Sequence, residues 1–348
     1  MTRPGDPERV LITGGAGFIG AVVARRLLDA GHDVTVADHG TEPRHHRARA
    51  ALGDARLLDV DLLAVDLVDL VDVLAGVDRV VHLAGRPGVQ TSWGAGFERH
   101  LAANTLLTQR LLEAALVTRP RRVVLASSSS VYGDIPDGRA DEDHPTRPLS
   151  PYGVSKAAAE ALVGTYVARG VDAVSLRFFT VYGRGQRPDM ALHRIIDAAL
   201  GGPVFALRGS GRQTRDLTHV DDAAAAIDAA LFAAVPAGTV CNVGGGRPVS
   251  LTGLIGTVER QLGRVVPRQR VDSADGDPSR TSADTSRACR LLGWSAAVDL
   301  ADGVADQIAH QLAVVRPGAT GCPSADPGVR RAATTDAHGS GLLAGSRP

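Results

Sequence analysis

A glycine-rich turn near the N terminus limits the folds open to this chain more than any other feature. Residues 9–13, Arg-Val-Leu-Ile-Thr, form an apolar run typical of a buried parallel strand. Gly14, Gly17 and Gly20 follow with the spacing G-x-x-G-x-x-G. The first glycine allows a tight turn, the second lets the backbone approach a pyrophosphate, and the third lets the next helix lie close to its strand. We therefore predict a dinucleotide-binding strand–turn–helix unit.

An acidic residue indicates which dinucleotide this unit would bind. A helix is predicted over 18–30, and Phe18 and Ile19 lie at its amide-bearing end, which would face the phosphates. A second strand over Val34–Ala37 ends at Asp38. An acid in that place is positioned to bind the ribose hydroxyls and would repel a 2′-phosphate. The sequence thus favours NAD over NADP as the cofactor.

Strand-like and helix-like segments alternate up to about residue 177. This order predicts an α/β fold with a Rossmann-type doubly wound parallel sheet. The longest helical patterns lie near 96–117 and 151–169. The tail is rich in Pro, Gly, Ala, Ser and Thr with little apolar periodicity, which predicts disorder. The expected organisation is an N-terminal extension at 1–8, an NAD-binding domain with the catalytic residues at 9–177, an interleaved substrate-binding lobe at 178–315, and a disordered tail at 316–348.

The composition argues against several classes of partner. The 348 residues include 38 Lys plus Arg and 38 Asp plus Glu, so the formal net charge is zero and neither nucleic acid nor an anionic membrane is favoured. We expect no membrane span and no signal peptide before Val10. Cys241, Cys289 and Cys322 are scattered without metal-ligand spacing. They predict reduced thiols, a cytoplasmic location and no metal site.

A tyrosine and a lysine one helical turn apart form the candidate catalytic pair. Tyr152 and Lys156 would lie on one face of the predicted helix. There the ammonium and the positive end of the helix are expected to lower the pKa of the phenol, so that the phenolate acts as a general base toward a sugar hydroxyl. The run Ser127–Ser130 follows a strand predicted at 121–127, and strand ends carry ligands in this architecture. One of its hydroxyls is expected to share the transferred proton.

Together these motifs are similar to those of the extended short-chain dehydrogenase/reductases that act on nucleotide sugars. The resemblance rests on T-G-x-x-G-x-x-G, on Y-x-x-x-K and on His-Leu-Ala-Gly at 82–85, and it covers about 10–309. It implies that Ser128, four residues before the tyrosine of Val-Tyr-Gly at 131–133, is the catalytic hydroxyl. The resemblance also implies further cofactor contacts beside Tyr152 and Lys156, namely Asp61, Leu62, Leu83, Ala84 and Asn104. The last of these matches an asparagine that supports the active-site water and the lysine.

The second half of the chain carries segments similar to the UDP-sugar site of this family. Arg215 matches an arginine that pairs with UDP phosphate, which suits a bidentate guanidinium. Asp277 matches a ribose contact, and Arg280 a phosphate contact. The run R-F-F-T-V-Y-G…Q-R-P-D-M-A at 177–191 most resembles the UDP-glucuronate 4-epimerases. That likeness implies that the C5 carboxylate binds three hydroxyls and that an arginine closes over the sugar nucleotide; these residues are Ser129, Ser130, Thr180 and Arg187.

The resemblance implies an NAD-dependent isomerase that inverts C4 of UDP-glucuronate to give UDP-galacturonate through a 4-keto intermediate. The alternative is a UDP-glucose/UDP-galactose 4-epimerase, although such relatives commonly carry Asn where Thr180 stands. Dehydration and decarboxylation are less favoured, since Ser129 and Ser130 replace acids that dehydratases and decarboxylases carry. A less favoured nucleotide-sugar reductase would be revealed by stoichiometric use of external NAD(P)H. A dinucleotide sensor without activity would not need Tyr152 and Lys156.

The resemblance also predicts a homodimer. In relatives, the two helices that match 96–117 and 151–169 form a four-helix contact between subunits. The apolar residues expected in this seam are Leu106, Leu107, Leu111, Leu112, Ala158, Leu162 and Val163.

Overall fold

The structure, a computed structural model, describes residues 7–39, 52–272 and 276–315. The predicted tail at 316–348 and most of the extension at 1–8 therefore lie outside the described residues.

Seven strands form the central sheet: β1 (Arg9–Thr13), β2 (Asp33–Asp38), β3 (Arg56–Asp59), β4 (Arg79–His82), β5 (Arg122–Ser128), β6 (Ala173–Phe178) and β11 (Val240–Val243). Their order is β11-β6-β5-β4-β1-β2-β3, and all neighbours are parallel. The predicted doubly wound parallel sheet is confirmed.

Helices cover both faces of this sheet. They are α1 (Phe18–Asp29), α2 (Leu67–Leu74), α3 (Gly96–Leu101), α4 (Leu107–Thr118), α5 (Pro151–Val167), α6 (Ala191–Ala199), α7 (Val220–Phe232), α8 (Leu251–Leu262), α9 (Ser286–Leu292) and α10 (Leu300–Val315). The apolar faces of α1 and α7 pack on one side of the sheet, and those of α2, α4 and α5 on the other. Burial of these two faces provides the main core of the molecule.

Short strand pairs build a smaller lobe after β6. β7 (Thr180–Tyr182) pairs with β10 (Leu217–His219), β8 (Phe205–Arg208) with β13 (Arg268–Val271), and β9 (Thr214–Arg215) with β12 (Val249–Ser250). A separate apolar cluster fills this lobe, with Ile195 and Ile196 of α6 and Leu254 and Val258 of α8 among its members. β11 returns from the lobe to the central sheet beside β6, so the two parts of the chain are interleaved.

The long helix predicted at 96–117 is interrupted. A π-helical turn over Ala102–Leu106 separates α3 from α4. This turn packs against α5, where Asn104 Nδ2 donates to Ser155 Oγ over 2.9 Å and Thr105 Oγ1 donates to the Ser155 carbonyl over 2.9 Å. The widened turn therefore anchors the helix that carries the candidate catalytic pair.

Most of the residues predicted for a subunit seam lie instead in the core. Leu107, Leu111, Leu112 and Val163 are at most 4% exposed, because α4 and α5 pack these side chains onto the sheet. The prediction of an outward seam was wrong for these four residues. The exposed large apolar side chains of the segment 96–118 and of α5 are Leu101, Leu106, Val117 and Val154.

Candidate active site

A cleft of about 2630 Å³ lies along the carboxyl edge of the sheet and opens toward the smaller lobe. It is the expected ligand position for an open parallel sheet. Predicted cofactor contacts that line it are Gly14, Gly17, Phe18, Ile19, Gly20, Asp38, Asp61, Leu62, Leu83 and Ala84. Predicted catalytic and substrate contacts that line it are Ser128, Ser129, Ser130, Tyr152, Lys156, Thr180, Arg187, Arg215 and Asp277.

The glycine turn leaves no space for side chains. Gly14 has a φ of +70°, and a Cβ there would lie 2.6 Å from the amide nitrogen of Ala84. A Cβ on Gly20 would lie 2.5 Å from the Gly14 carbonyl oxygen. α1 begins directly after Gly17, and no side chain of the described residues caps it. Its first amide N–H groups are therefore available to a phosphate, which fits the pyrophosphate of NAD.

Asp38 lies at the end of β2, next to this turn. Its Oδ2 accepts a hydrogen bond from the amide of Ala16 over 2.8 Å, which fixes the carboxylate beside the glycines. A carboxylate can accept several hydrogen bonds at once, so the same group can also receive ribose hydroxyls. Asp61 and Leu62 lie nearby on the cleft wall, with the Asp61 carboxylate 3.5 Å from His39 Nε2. These groups fit the adenosine half of NAD.

The candidate base is positioned by the start of α5. Ser150 caps this helix, since its side chain accepts a hydrogen bond from the Gly153 amide, and Pro151 occupies the first turn. The Tyr152 phenol lies close enough to the Ser128 hydroxyl for this group to lower the phenol pKa. One turn later, Lys156 Nζ donates to the Ala126 carbonyl over 2.8 Å. The end of β5 and the start of α5 thus bring Ser128, Tyr152 and Lys156 together.

Burial controls the protonation of this pair. Desolvation raises the pKa of the Tyr152 phenol, and the hydrogen bond from Ser128 and the positive charge of Arg187 act in the opposite direction. Desolvation also lowers the pKa of Lys156 to about 8, against the attraction of Glu160. The prediction that Lys156 lowers the phenol pKa was therefore wrong for the protein alone, because burial favours the neutral form of both groups.

The predicted carboxylate donors lie at one edge of the sheet. Ser128 of β5 pairs with Phe178 of β6, so the residues that follow each strand meet at the same place. Ser129, Ser130 and Thr180 follow these two strand ends and line the cleft. A parallel register thus brings together hydroxyls that are fifty residues apart in the sequence.

Two arginines of the cleft are held by carboxylates. Arg187 Nε and Nη2 donate to the Asp189 carboxylate over 2.9 and 2.8 Å. Arg215 Nη2 donates to Asp277 Oδ1 over 2.6 Å. Each guanidinium is therefore pre-oriented at the cleft wall, and Arg187 is close enough to influence the Tyr152 phenol.

Two predicted ligand contacts point elsewhere. Arg280 lines a smaller cavity of about 740 Å³, and its Nη2 donates to the Gly138 carbonyl over 3.2 Å. Asn104 is buried, and its amide group is hydrogen-bonded to the backbone of Arg86 and to Ser155. In this structure Asn104 supports the site from behind, and a direct contact with NAD is not what its geometry provides.

Sequence reasoning missed a buried ion pair behind the catalytic lysine. Arg177 Nη2 and Nε donate to the Glu160 carboxylate over 2.8 and 3.0 Å, and Ser127 Oγ donates to the same group. Arg177 also donates to the Tyr132 hydroxyl over 2.8 Å. Glu160 lies four residues after Lys156, so it shares a helix face with the lysine, and this spacing was the signal that could have revealed it.

The composition predicted no membrane span and no metal site, and the described part of the chain bears on both expectations. Within 7–39, 52–272 and 276–315 no helix is long and apolar enough to cross a membrane, and no group of His, Cys, Asp or Glu could hold a metal ion. Cys241 is a buried free thiol whose pKa burial raises to about 12, and Cys289 is an exposed free thiol.

Comparison with known proteins gives consistent results for the family and the fold. A family model described as the NAD dependent epimerase/dehydratase family matches residues 10–244. A Bacillus subtilis protein, named uncharacterized UDP-glucose epimerase YtcB, is 39% identical over 311 residues, which is 87% of this chain and 97% of that protein. UDP-glucuronic acid 4-epimerase from Bacillus cereus, solved with UDP-glucuronic acid and NAD, superposes with a TM-score of 0.81 at 36% identity, over 87% of this chain and 99% of that one.

A further solved protein, MoeE5, bears on the substrate. Its complex with UDP-glucose and NAD has a TM-score of 0.82 and 39% identity, over 88% of this chain and 100% of that one. The same protein was also solved with UDP-glucuronic acid and NAD. These likenesses confirm the predicted resemblance, the NAD cofactor and, at the level of class, a UDP-sugar 4-epimerase. The chain belongs to the NAD dependent epimerase/dehydratase family, as an extended short-chain dehydrogenase/reductase of the nucleotide-sugar epimerase type.

Proposed function

We propose that this protein is a UDP-glucuronate 4-epimerase, which interconverts UDP-glucuronate and UDP-galacturonate. The observation that carries the proposal is the group of hydroxyls of Ser129, Ser130 and Thr180 at the cleft edge beside Tyr152. Neutral donors suit a C5 carboxylate, because each hydrogen bond to a charged group contributes about 1.5–3 kcal/mol. Carboxylates in the same place would repel the uronate.

In this proposal the glycine turn and Asp38 would hold NAD, which would supply a hydride acceptor for C4 and, once reduced, the hydride donor for the return step. Tyr152, assisted by Ser128, removes the proton of the C4 hydroxyl and gives a proton back after the keto sugar has presented its other face. C4 is thereby inverted with no net redox change. Arg215 holds the diphosphate while the sugar turns, and the glycine turn with Asp38 holds the dinucleotide.

The hydroxyls would also suppress a side reaction. A 4-keto uronate is a β-keto acid, and it loses CO₂ fastest when the bond from C5 to the carboxylate stands perpendicular to the carbonyl plane. Hydrogen bonds from Ser129, Ser130 and Thr180 would hold the carboxylate away from that geometry. The site thus combines recognition of the uronate with protection of its intermediate.

The proposal predicts a selective loss of activity in Thr180→Ala. The variant should lose about tenfold to a hundredfold in kcat/KM on UDP-glucuronate, since one hydrogen bond to a charged group is removed. Activity on UDP-glucose should change little, because its C6 hydroxyl accepts a weaker hydrogen bond. The measurement is the initial rate of C4 epimer formation from each substrate, with the CO₂ released per turnover recorded in parallel.

Thr180→Ser is the matched control, because it keeps the hydroxyl and should keep most of the activity. More CO₂ per turnover is expected from the alanine variant. Equal wild-type kcat/KM on UDP-glucose and UDP-glucuronate would contradict the uronate proposal. Selective loss without extra CO₂ would remove only the proposal that the carboxylate is held against decarboxylation.

A neutral-sugar 4-epimerase is the second candidate function. Two likenesses favour it: the name of the Bacillus subtilis relative, and the solved complex of MoeE5 with UDP-glucose. The two candidates share Ser128, Tyr152 and Lys156 and differ in the group at C5. The comparison of substrates described for Thr180→Ala separates them.

We also propose that the protein is cytoplasmic and forms a homodimer. The cytoplasmic location agrees with the free thiols of Cys241 and Cys289. The π-helical turn and α5 pack side by side and expose Leu106 and Val154, which would form an apolar seam. Wild-type protein should sediment as a dimer at micromolar concentration, and Leu106→Glu combined with Val154→Glu should sediment as a monomer. Val265→Glu, at another exposed valine, is the control and should remain dimeric. A wild-type monomer at every concentration would refute this proposal.

A further inference from the structure

A buried histidine at the end of β4 has both ring nitrogens hydrogen-bonded. His82 is 1% exposed. Its Nδ1 lies 2.7 Å from Thr13 Oγ1, and its Nε2 lies 3.1 Å from Thr108 Oγ1. The ring therefore joins the residue directly before the glycine turn to the first turn of α4.

The neighbouring acceptors determine which nitrogen carries the proton. Thr108 has one hydroxyl proton, and it donates this proton to the Asn104 carbonyl over 2.6 Å. The Thr108 oxygen must then accept from His82, so the ring proton is on Nε2. Nδ1 is an acceptor and receives the hydroxyl proton of Thr13, whose oxygen accepts in turn from the Ala84 amide over 3.3 Å.

The ring stays neutral over the working pH range. Desolvation, reinforced by the charge of Lys156, lowers the pKa of His82 to about 3. A neutral ring supplies one donor and one acceptor, which is what the two threonine hydroxyls require. The donor and the acceptor of each hydrogen bond between Thr13, His82 and Thr108 are therefore defined.

The chain of hydrogen bonds continues into the catalytic helix. Asn104 Nδ2 donates to Ser155 Oγ over 2.9 Å, and Ser155 adjoins Lys156. The side-chain oxygen of Asn104 accepts from the Arg86 amide over 2.8 Å. It also lies 2.7 Å from the position of a Cβ on Gly85, so a larger residue there would displace the Asn104 amide.

We propose that His82 is a positioning residue: as the neutral Nε2–H tautomer it ties the dinucleotide turn to the π-helical turn that carries Asn104. This arrangement couples the position of the cofactor at Gly14 to the position of Lys156 on α5. The coupling acts through side chains that contact neither the cofactor nor the UDP-sugar. The coupling concerns the epimerase reaction of the family and holds for a uronate or a neutral sugar alike.

The tautomer can be observed directly. The NAD-loaded protein labelled with ¹⁵N-histidine would be studied by long-range ¹H–¹⁵N correlation between pH 5 and pH 8. The His82 resonance would be identified as the histidine signal whose Nε2 shift changes in Thr108→Val. We expect a proton on Nε2, an unprotonated Nδ1 and no titration over this range. A proton on Nδ1, or a change of protonation within the range, would overturn the proposal.

The kinetic test uses threonines, because a change at His82 itself could unfold the protein. Thr108→Val should lower kcat about tenfold, the size of one lost hydrogen bond, and should leave the KM for the UDP-sugar within about twofold. Thr108→Ser keeps the hydroxyl and should restore kcat to within about twofold of wild type. Thr13→Val combined with Thr108→Val should lose less than the product of the two single losses, since the residues act through one ring.

Three results would overturn the proposal. The first is a normal kcat in Thr108→Val with only a lower melting temperature, which is what a purely structural hydroxyl gives. The second is equal impairment in Thr108→Ser and Thr108→Val. The third is a double variant with Thr13→Val whose loss equals the product of the single losses.

Discussion

Replacing Tyr152 by phenylalanine should reduce turnover by about 10²–10⁴-fold, the contribution expected of a general base. The hydroxyl that is removed lies close enough to Ser128 to interact with it at the cleft, whereas the half-buried ring remains in place. Binding of NAD and of UDP-sugar should therefore stay close to wild type. The measurement is the rate of C4 epimer formation from UDP-glucuronate without added cofactor, with bound nucleotide identified after denaturation.

The same helix offers a matched control. Tyr166 is the second tyrosine of α5 and is buried, and its hydroxyl is bonded to Glu113 and Gln109, away from the cleft. Tyr166→Phe should keep turnover near wild type, and Ser128→Ala should cost less than Tyr152→Phe. Near wild-type turnover in Tyr152→Phe would show that the assigned base is wrong. Recovery of mainly NADP from the protein would contradict the role given to Asp38.

Loss of the Glu160 carboxylate should produce the largest loss of stability among the changes considered. Glu160 and Arg177 have side chains only 10% and 7% exposed, and Glu160→Leu would leave the guanidinium buried without its counterion. Removal of one partner of a buried pair costs about 3–5 kcal/mol in the free energy of unfolding. Urea unfolding followed by circular dichroism should report this loss as a lower midpoint at an unchanged slope.

Two further variants test the cause of that loss. Glu160→Leu combined with Arg177→Leu removes both charges and should be more stable than the sum of the two single changes predicts. Asp29→Ala removes the partner of Arg25 in an exposed pair on α1 and should cost less than about 1 kcal/mol. A loss below about 1 kcal/mol in Glu160→Leu would contradict the prediction, as would strict additivity of the two buried changes.

The central sheet could be predicted well because its signals are local. Apolar runs gave the strands at 9–13, 34–37 and 121–127 to within one residue, and Ser150 before Pro151 marks the start of α5. The edge strand β11 was not predicted. The π-helical turn at Ala102–Leu106 could not be predicted, because Ala-Ala-Asn-Thr-Leu suits an ordinary α-helix. Its geometry is accompanied by hydrogen bonds to Ser155 and Arg86, which are distant in sequence.

The sequence predicted which residues meet at the candidate site, but it did not predict where their side chains point. Motif spacing brought the hydroxyls, Tyr152 and Lys156 to one cleft, since parallel strand ends meet at one edge. A linear pattern does not tell which way a long side chain turns. Arg280 points to the Gly138 carbonyl, and Asn104 turns its amide into the protein. The Arg177–Glu160 pair was missed because each partner lies in a segment with an evident role of its own.

The return of the chain from the smaller lobe to β11 has a consequence for synthesis. β6 is buried along its whole length, and among the described residues its outer edge pairs with Val240–Val243 alone. On the ribosome, about sixty residues must follow β6 before this edge is paired. Until then the nascent polypeptide exposes an apolar strand with unpaired backbone groups, the kind of edge that recruits other chains. The sheet is thus complete only late in translation, and a fragment that stops at Arg177 would leave the ribosome with that edge open.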